Sequence, residues 1–99
     1  MALFQVSTAD YEIFASILKD GAGMRRSFTF KELLAAFESV GFSQSSKGRW
    51  VYDGKALFLF KPGDKARAVV THARQDELKR QLLSLFEWEK GTFVERAGL

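Results

Sequence analysis

Apolar residues recur along this chain with two different periods, and the change of period marks its organisation. Ser7-Thr8-Ala9-Asp10 reads as a capping-box-like helix start, with Asp in the place of the usual Glu. Tyr11, Phe14, Ile17 and Leu18 then follow at helical spacing, which predicts one buried stripe, and Lys19 to Gly23 end it. A second helix is bracketed more tightly. Thr29 and Glu32 form a capping box, Phe28 is placed to staple onto Leu33, and Leu33, Leu34, Phe37 and Val40 make the apolar stripe. Gly41 stands where a left-handed residue commonly closes a helix. Phe42 re-enters the core, and Ser43 to Lys47 reads as a short polar loop.

From Gly48 to Thr71 the period shortens to that of strands, and a three-stranded antiparallel meander is predicted. Asp53-Gly54 joins Arg49–Tyr52 to Lys55–Phe60, because a type I′ turn needs positive φ at both central residues. Pro62-Gly63-Asp64 supplies a second turn into Arg67–Thr71. With these loops, Tyr52 faces Lys55, Trp50 faces Leu57 and Arg49 faces Phe58. One sheet face collects Trp50, Tyr52, Leu57, Leu59, Ala68 and Val70. The other collects Arg49, Val51, Phe58, Phe60, Arg67, Val69 and Thr71. The uncharged face is assigned to the helices and the mixed face to solvent; inverting that assignment exposes Trp50 and Tyr52 instead.

A third helix begins at Gln75 or Asp76, with Leu78, Leu82, Leu85 and Phe86 on its inner side, and Gly91 stops it. Thr92-Phe93-Val94 is too apolar to hang free and is expected to return to the domain. The order is therefore α-α-β-β-β-α. Three twisted strands are not stable alone, so the helices must cover one face, which defines an α+β class. The 99 residues form a single domain, read as an N-terminal helix and link (1–27), a core (28–90) and a tail (91–99).

The absence of cysteine excludes disulfides and cysteine metal sites, and a single histidine excludes multi-histidine ones. No tight cluster of acids marks a magnesium site, and no cofactor is implied. No apolar run approaches the roughly 20 residues of a membrane span, and no signal-peptide pattern opens the chain. A reducing, cytoplasmic setting is expected. The net charge of +3 is unevenly placed. Residues 44–80 hold nine Lys/Arg against four acids, a surplus of five, while the flanking segments are each slightly acidic. Such a surplus suits a surface that meets phosphates, although lysines on exposed edges also guard against strand pairing.

The run Phe30-Lys31-Glu32-Leu33-Leu34, then Val40-Gly41-Phe42, Lys47-Gly48, a hairpin and a last amphipathic helix resembles the HicA-like family. The resemblance covers residues 28–90 and implies a fold of the double-stranded-RNA-binding type and a toxin-type ribonuclease activity. That family's usual Gly-Ser-His motif falls on Gly48-Arg49-Trp50, so tryptophan stands where the catalytic histidine is expected. An indole N–H donates a hydrogen bond but takes no proton from a ribose hydroxyl at neutral pH. Binding without the family's catalysis is the expectation.

His72 is the one residue of the type that changes charge near neutral pH, and it is the candidate for any metal-free cleavage, with Arg67 or Arg74 as the cation. A lone histidine at a strand end is more often structural. The candidate RNA contacts are Lys47, Arg49, Lys55, Phe58, Phe60, Arg67, Arg74, Lys79 and Arg80. Among these, Phe58 and Phe60 are either stacking platforms flanked by arginines or core residues. Ten phenylalanines in so short a chain also raise the expectation of a protein partner, or self-association, through exposed aromatics.

Overall fold

The computed structural model describes residues 4–19, 26–46, 49–59 and 65–96. In chain order the elements are β1 (Phe4–Val6), α1 (Thr8–Ile17), α2 (Phe30–Ser39), β2 (Ser43–Ser46), β3 (Arg49–Tyr52), β4 (Lys55–Phe58), α3 (His72–Phe86), a 3₁₀ turn (Lys90–Thr92) and β5 (Phe93–Glu95). Helix α2 is fixed by the chemistry of its ends. Thr29 accepts the Glu32 amide on its side chain, Glu32 returns the bond to the Thr29 amide, and Phe28 and Leu33 are both buried. Helix α1 starts at Ser7, whose hydroxyl accepts the Asp10 amide.

The chain is α+β, with a three-stranded antiparallel sheet in the order β2-β3-β4 and a separate parallel pair, β1-β5. The β3–β4 hairpin has the expected register, with Arg49 opposite Phe58, Trp50 opposite Leu57 and Tyr52 opposite Lys55. Asp53 and Gly54 both adopt positive φ, 51° and 74°, as the tight turn demands. Trp50, Leu57 and Leu59 are buried toward the helices, while Arg49 and Phe58 are exposed on the opposite side.

The third strand is not Arg67–Thr71 but Ser43–Ser46, which pairs with β3 through Ser43–Val51, Gln44–Trp50 and Ser46–Arg49, with a bulge after Gln44. Residues 66–70 serve α2 instead. The first donors of a helix have no acceptor within it. Here the Phe30 amide donates to the Ala68 carbonyl and the Lys31 amide to the Ala66 carbonyl, while the Val70 amide returns a bond to Phe28. Only Val70 of this segment is buried, and Ala68, expected inside, is exposed.

Helix α3 begins at His72, earlier than expected, because Thr71 is its N-cap and accepts the Arg74 amide. It ends at Glu87, which takes the left-handed conformation (φ 57°), rather than at Gly91. That turn sends Trp88 back onto a cluster of rings that includes Phe4, Phe42, Tyr52, Phe86 and Phe93. As expected, the following apolar segment returns to the domain. Phe93 is buried, and β5 pairs with β1 through Phe4–Phe93, Gln5–Val94 and Val6–Glu95. No helix among the described residues is long and apolar enough to cross a membrane.

Gly41 closes the path from α2 into the sheet. Its φ is 109°, and a Cβ there would lie 3.2 Å from the Tyr52 ring. Gly41→Ala is expected to destabilise the fold by about 1–2 kcal/mol, through backbone strain and displacement of that ring. Thermal unfolding followed by circular dichroism checks this; an unchanged midpoint would mean that the turn is not held as described.

Candidate nucleic-acid interface

The candidate contacts separate into two groups once each cation's end is located. Lys55 sits opposite Tyr52 and so points to the helix side of the hairpin. Its ammonium donates to the Leu85 carbonyl at 2.7 Å and lies over the Phe86 ring, completing the C-terminal end of α3. The Lys79 ammonium does the same for the chain leaving α1, donating to the Lys19 carbonyl at 2.6 Å. Arg74 lies over the Phe30 ring, donates to the Leu59 carbonyl and pairs with Glu77 at 3.7 Å. Each of these three cations is thus also engaged in holding one element of the fold to another.

Arg49, Arg67 and Arg80 form the second group. All are exposed, and none has an acidic partner among the described residues. Arg67, however, does not join Arg49 on the sheet. The segment that carries it is bound to the first turn of α2, where Lys31 and Lys65 are also exposed. Arg80 lies on the outward side of α3, one turn before exposed Leu83. Lys47 and Phe60 lie outside the described residues.

Arg49 and Phe58 are the pair that the fold does bring together. They are direct cross-strand neighbours, with the guanidinium carbon 5.6 Å from the ring centroid. Phe58 is 53% exposed, and it is the one phenylalanine among the described residues left so open. Val51 and Ala56, half-buried, continue the same face. Gln81 of α3 holds the strand in place: its side-chain oxygen accepts the Phe58 amide and its nitrogen donates to the Phe58 carbonyl. The edge of β4 is thereby closed to further pairing at Phe58. Nothing in the sequence singles out Gln81, since a glutamine on a helix flank reads as an ordinary solvent-facing residue.

Trp50, at the position where the resemblance expects histidine, faces inward and is 5% exposed. Its indole N–H finds no acceptor among the described residues. His72 is not at a strand end but in the first turn of α3, where it is exposed. Arg74, which the cleavage reading pairs with it, is turned onto Phe30 and Leu59. No three His, Asp or Glu residues among those described converge on a point where a metal could sit.

Elsewhere a shallow groove of about 430 Å³ runs between α1 and the C-terminal strand, lined by Tyr11, Glu12, Ala15, Ser16, Arg26 and Glu95. Arg26 is ion-paired to Glu12, and Glu95 accepts from Thr8, so the groove presents carboxylates and is unsuited to a polyanion. No protein-family model, curated protein or solved structure matches the chain.

Proposed function

We propose that this chain is a cytoplasmic nucleic-acid-binding module, with RNA as its partner, that works through the outer face of the β3–β4 hairpin and does not cleave what it binds. The observation that carries this reading is the Arg49–Phe58 pair: an arginine with no acidic partner among the described residues beside an exposed ring on the three-stranded sheet. A guanidinium neutralises phosphate while a ring stacks on a base, and both are needed at one place. RNA is favoured by the resemblance to HicA-like proteins, whose element order α2-β2-β3-β4-α3 this chain has. Two observations support the reading without cleavage. A buried indole occupies the position expected to take a proton, and Arg74 is turned onto Phe30 and Leu59, which leaves exposed Arg67 as the remaining cation of the cleavage reading.

Fluorescence anisotropy with a mixed RNA pool at low salt tests the reading. Affinity is expected to fall as salt rises, by about 0.7 in the log–log slope for each phosphate neutralised on a single strand. Arg49→Ala is expected to flatten the slope by about that amount. A correctly folded sample that binds no RNA at low salt removes the proposal. In EDTA the RNA is expected to stay intact; cleavage that is lost in His72→Ala would restore the ribonuclease reading.

A further inference from the structure

We infer that the partner is bound through unpaired bases, as a single strand and not as a duplex; this rests on the reading of the hairpin face as a nucleic-acid site. The argument is one of which surface each form of RNA offers. In a duplex every base face is covered by its neighbours, and only phosphates, hydroxyls and base edges are presented. A protruding phenyl ring gains nothing from those groups. An unpaired base offers a π face, and stacking on an aromatic ring is insensitive to its identity.

Phe58 is built for that contact. Its backbone is clamped on both its amide and its carbonyl by Gln81, and Arg49 lies beside the ring at 5.6 Å. Its side chain remains 53% exposed although a packed core lies on the other side of the strand. Val51 and Ala56 extend the platform by one apolar step along the strands.

Three of the cations that a duplex would call on are meanwhile committed, while Arg67 stays open beside the first turn of α2 and Arg80 on the outward side of α3. Duplex recognition needs positive groups spread over successive grooves. Lys55, Arg74 and Lys79 are held on the carbonyls of Leu85, Leu59 and Lys19, so reaching for phosphate means breaking a contact that holds the fold. Arg49 is the cation placed on the platform itself, which suits a short single-stranded footprint.

The test compares a labelled uridine oligonucleotide of about 12 nucleotides with an RNA duplex of similar length, using the full chain. The single strand is expected to bind more tightly. Phe58→Ala is expected to weaken it by about 5- to 150-fold, and Phe58→Trp to retain it. Far-ultraviolet circular dichroism of each variant confirms folding. A duplex bound as tightly as the single strand overturns the inference, and so does a Phe58→Ala variant with unchanged affinity. A tightly bound duplex with salt-dependent affinity would leave the proposed function standing. An unaffected Phe58→Ala variant would also take the ring out of the proposed site and leave the Arg49→Ala salt slope to decide whether the hairpin face binds at all. If neither RNA binds to the folded chain, the proposed function falls and this inference falls with it.

Discussion

Phe14→Ala is expected to destabilise the protein by about 3–5 kcal/mol, as large-to-small changes at fully packed aromatic positions do. Phe14 is fully buried in α1 and touches rings from two other parts of the chain. It stacks on Phe93 of β5 with centroids 4.0 Å apart and planes within 5°, and it tilts against Phe37 of α2 at 5.2 Å. Its removal therefore opens a cavity and also frees the returning C-terminal strand, whose Phe93 otherwise leans on Phe4 and Trp88. In a domain with a total stability of about 5–15 kcal/mol, this loss is a large share, and the melting point should fall by at least about 12 °C. Limited proteolysis should cut near β5 before the rest of the domain opens. The control is Phe58→Ala, an exposed site expected to shift stability by no more than about 0.5 kcal/mol. Equal losses at the two positions would contradict the assignment of one ring to the core and the other to the surface. Urea denaturation of both variants decides it.

The same contrast shows how much was legible beforehand. Where structure is set by chemistry within a few residues, the sequence states it directly. The Thr29–Glu32 capping box locates the start of α2, and Asp53-Gly54 gives the hairpin its register and therefore its faces. Where structure is set by distant demand for hydrogen bonds, it does not. Ser43–Ser46 carries no apolar alternation and reads as a loop, yet β3 has an open edge and the polar run fills it. Arg67–Thr71 has the composition of a strand. The amides of Phe30 and Lys31, however, lack acceptors in their own helix, and the carbonyls of Ala68 and Ala66 meet them. Assigning Thr71 to a strand also hides its role as the N-cap of α3.

The candidate site divides along the same line. Arg49 and Phe58 are found by register alone, because residues that alternate along a strand must share a face. The cluster of positive charge does not reveal that Lys55, Arg74 and Lys79 also bond backbone carbonyls. A count of charges fixes the position of a Cα, and a side chain with several rotatable bonds can carry its charge back to a helix end or a carbonyl. The abundance of phenylalanine, which suggests an apolar surface for a partner, is met inside for eight of the nine phenylalanines among the described residues. Phe14, Phe28, Phe30, Phe37, Phe42 and Phe93 are buried, and Phe4 and Phe86 pack against them. A core shared among three helices and two sheets needs that many rings.

Ser16→Ala is expected to cost about 2–4 kcal/mol, because it removes the hydroxyl on which two hydrogen bonds from distant segments converge. The Ser16 hydroxyl lies at the centre of a small polar circuit within the core. It donates to the side-chain oxygen of Gln75 at 2.6 Å and accepts the Arg26 amide at 2.9 Å, while the Gln75 side-chain nitrogen donates to the Arg26 carbonyl at 3.2 Å. Three stretches far apart in sequence meet there: α1, the chain entering α2, and α3. Gln75 is fully buried, so the circuit has no exchange with solvent at that point. Gln75→Leu should cost less than Ser16→Ala, about 1–2 kcal/mol, since the hydroxyl already lies 3.4 Å from the Arg26 carbonyl and can turn to it once the amide is gone. The double variant should then be less unstable than the two single losses added together, with a coupling of about 1 kcal/mol or more, because both changes remove the same Ser16–Gln75 bond. Chemical denaturation of the four proteins measures that difference, and strict additivity would mean that the three segments are held together by packing alone.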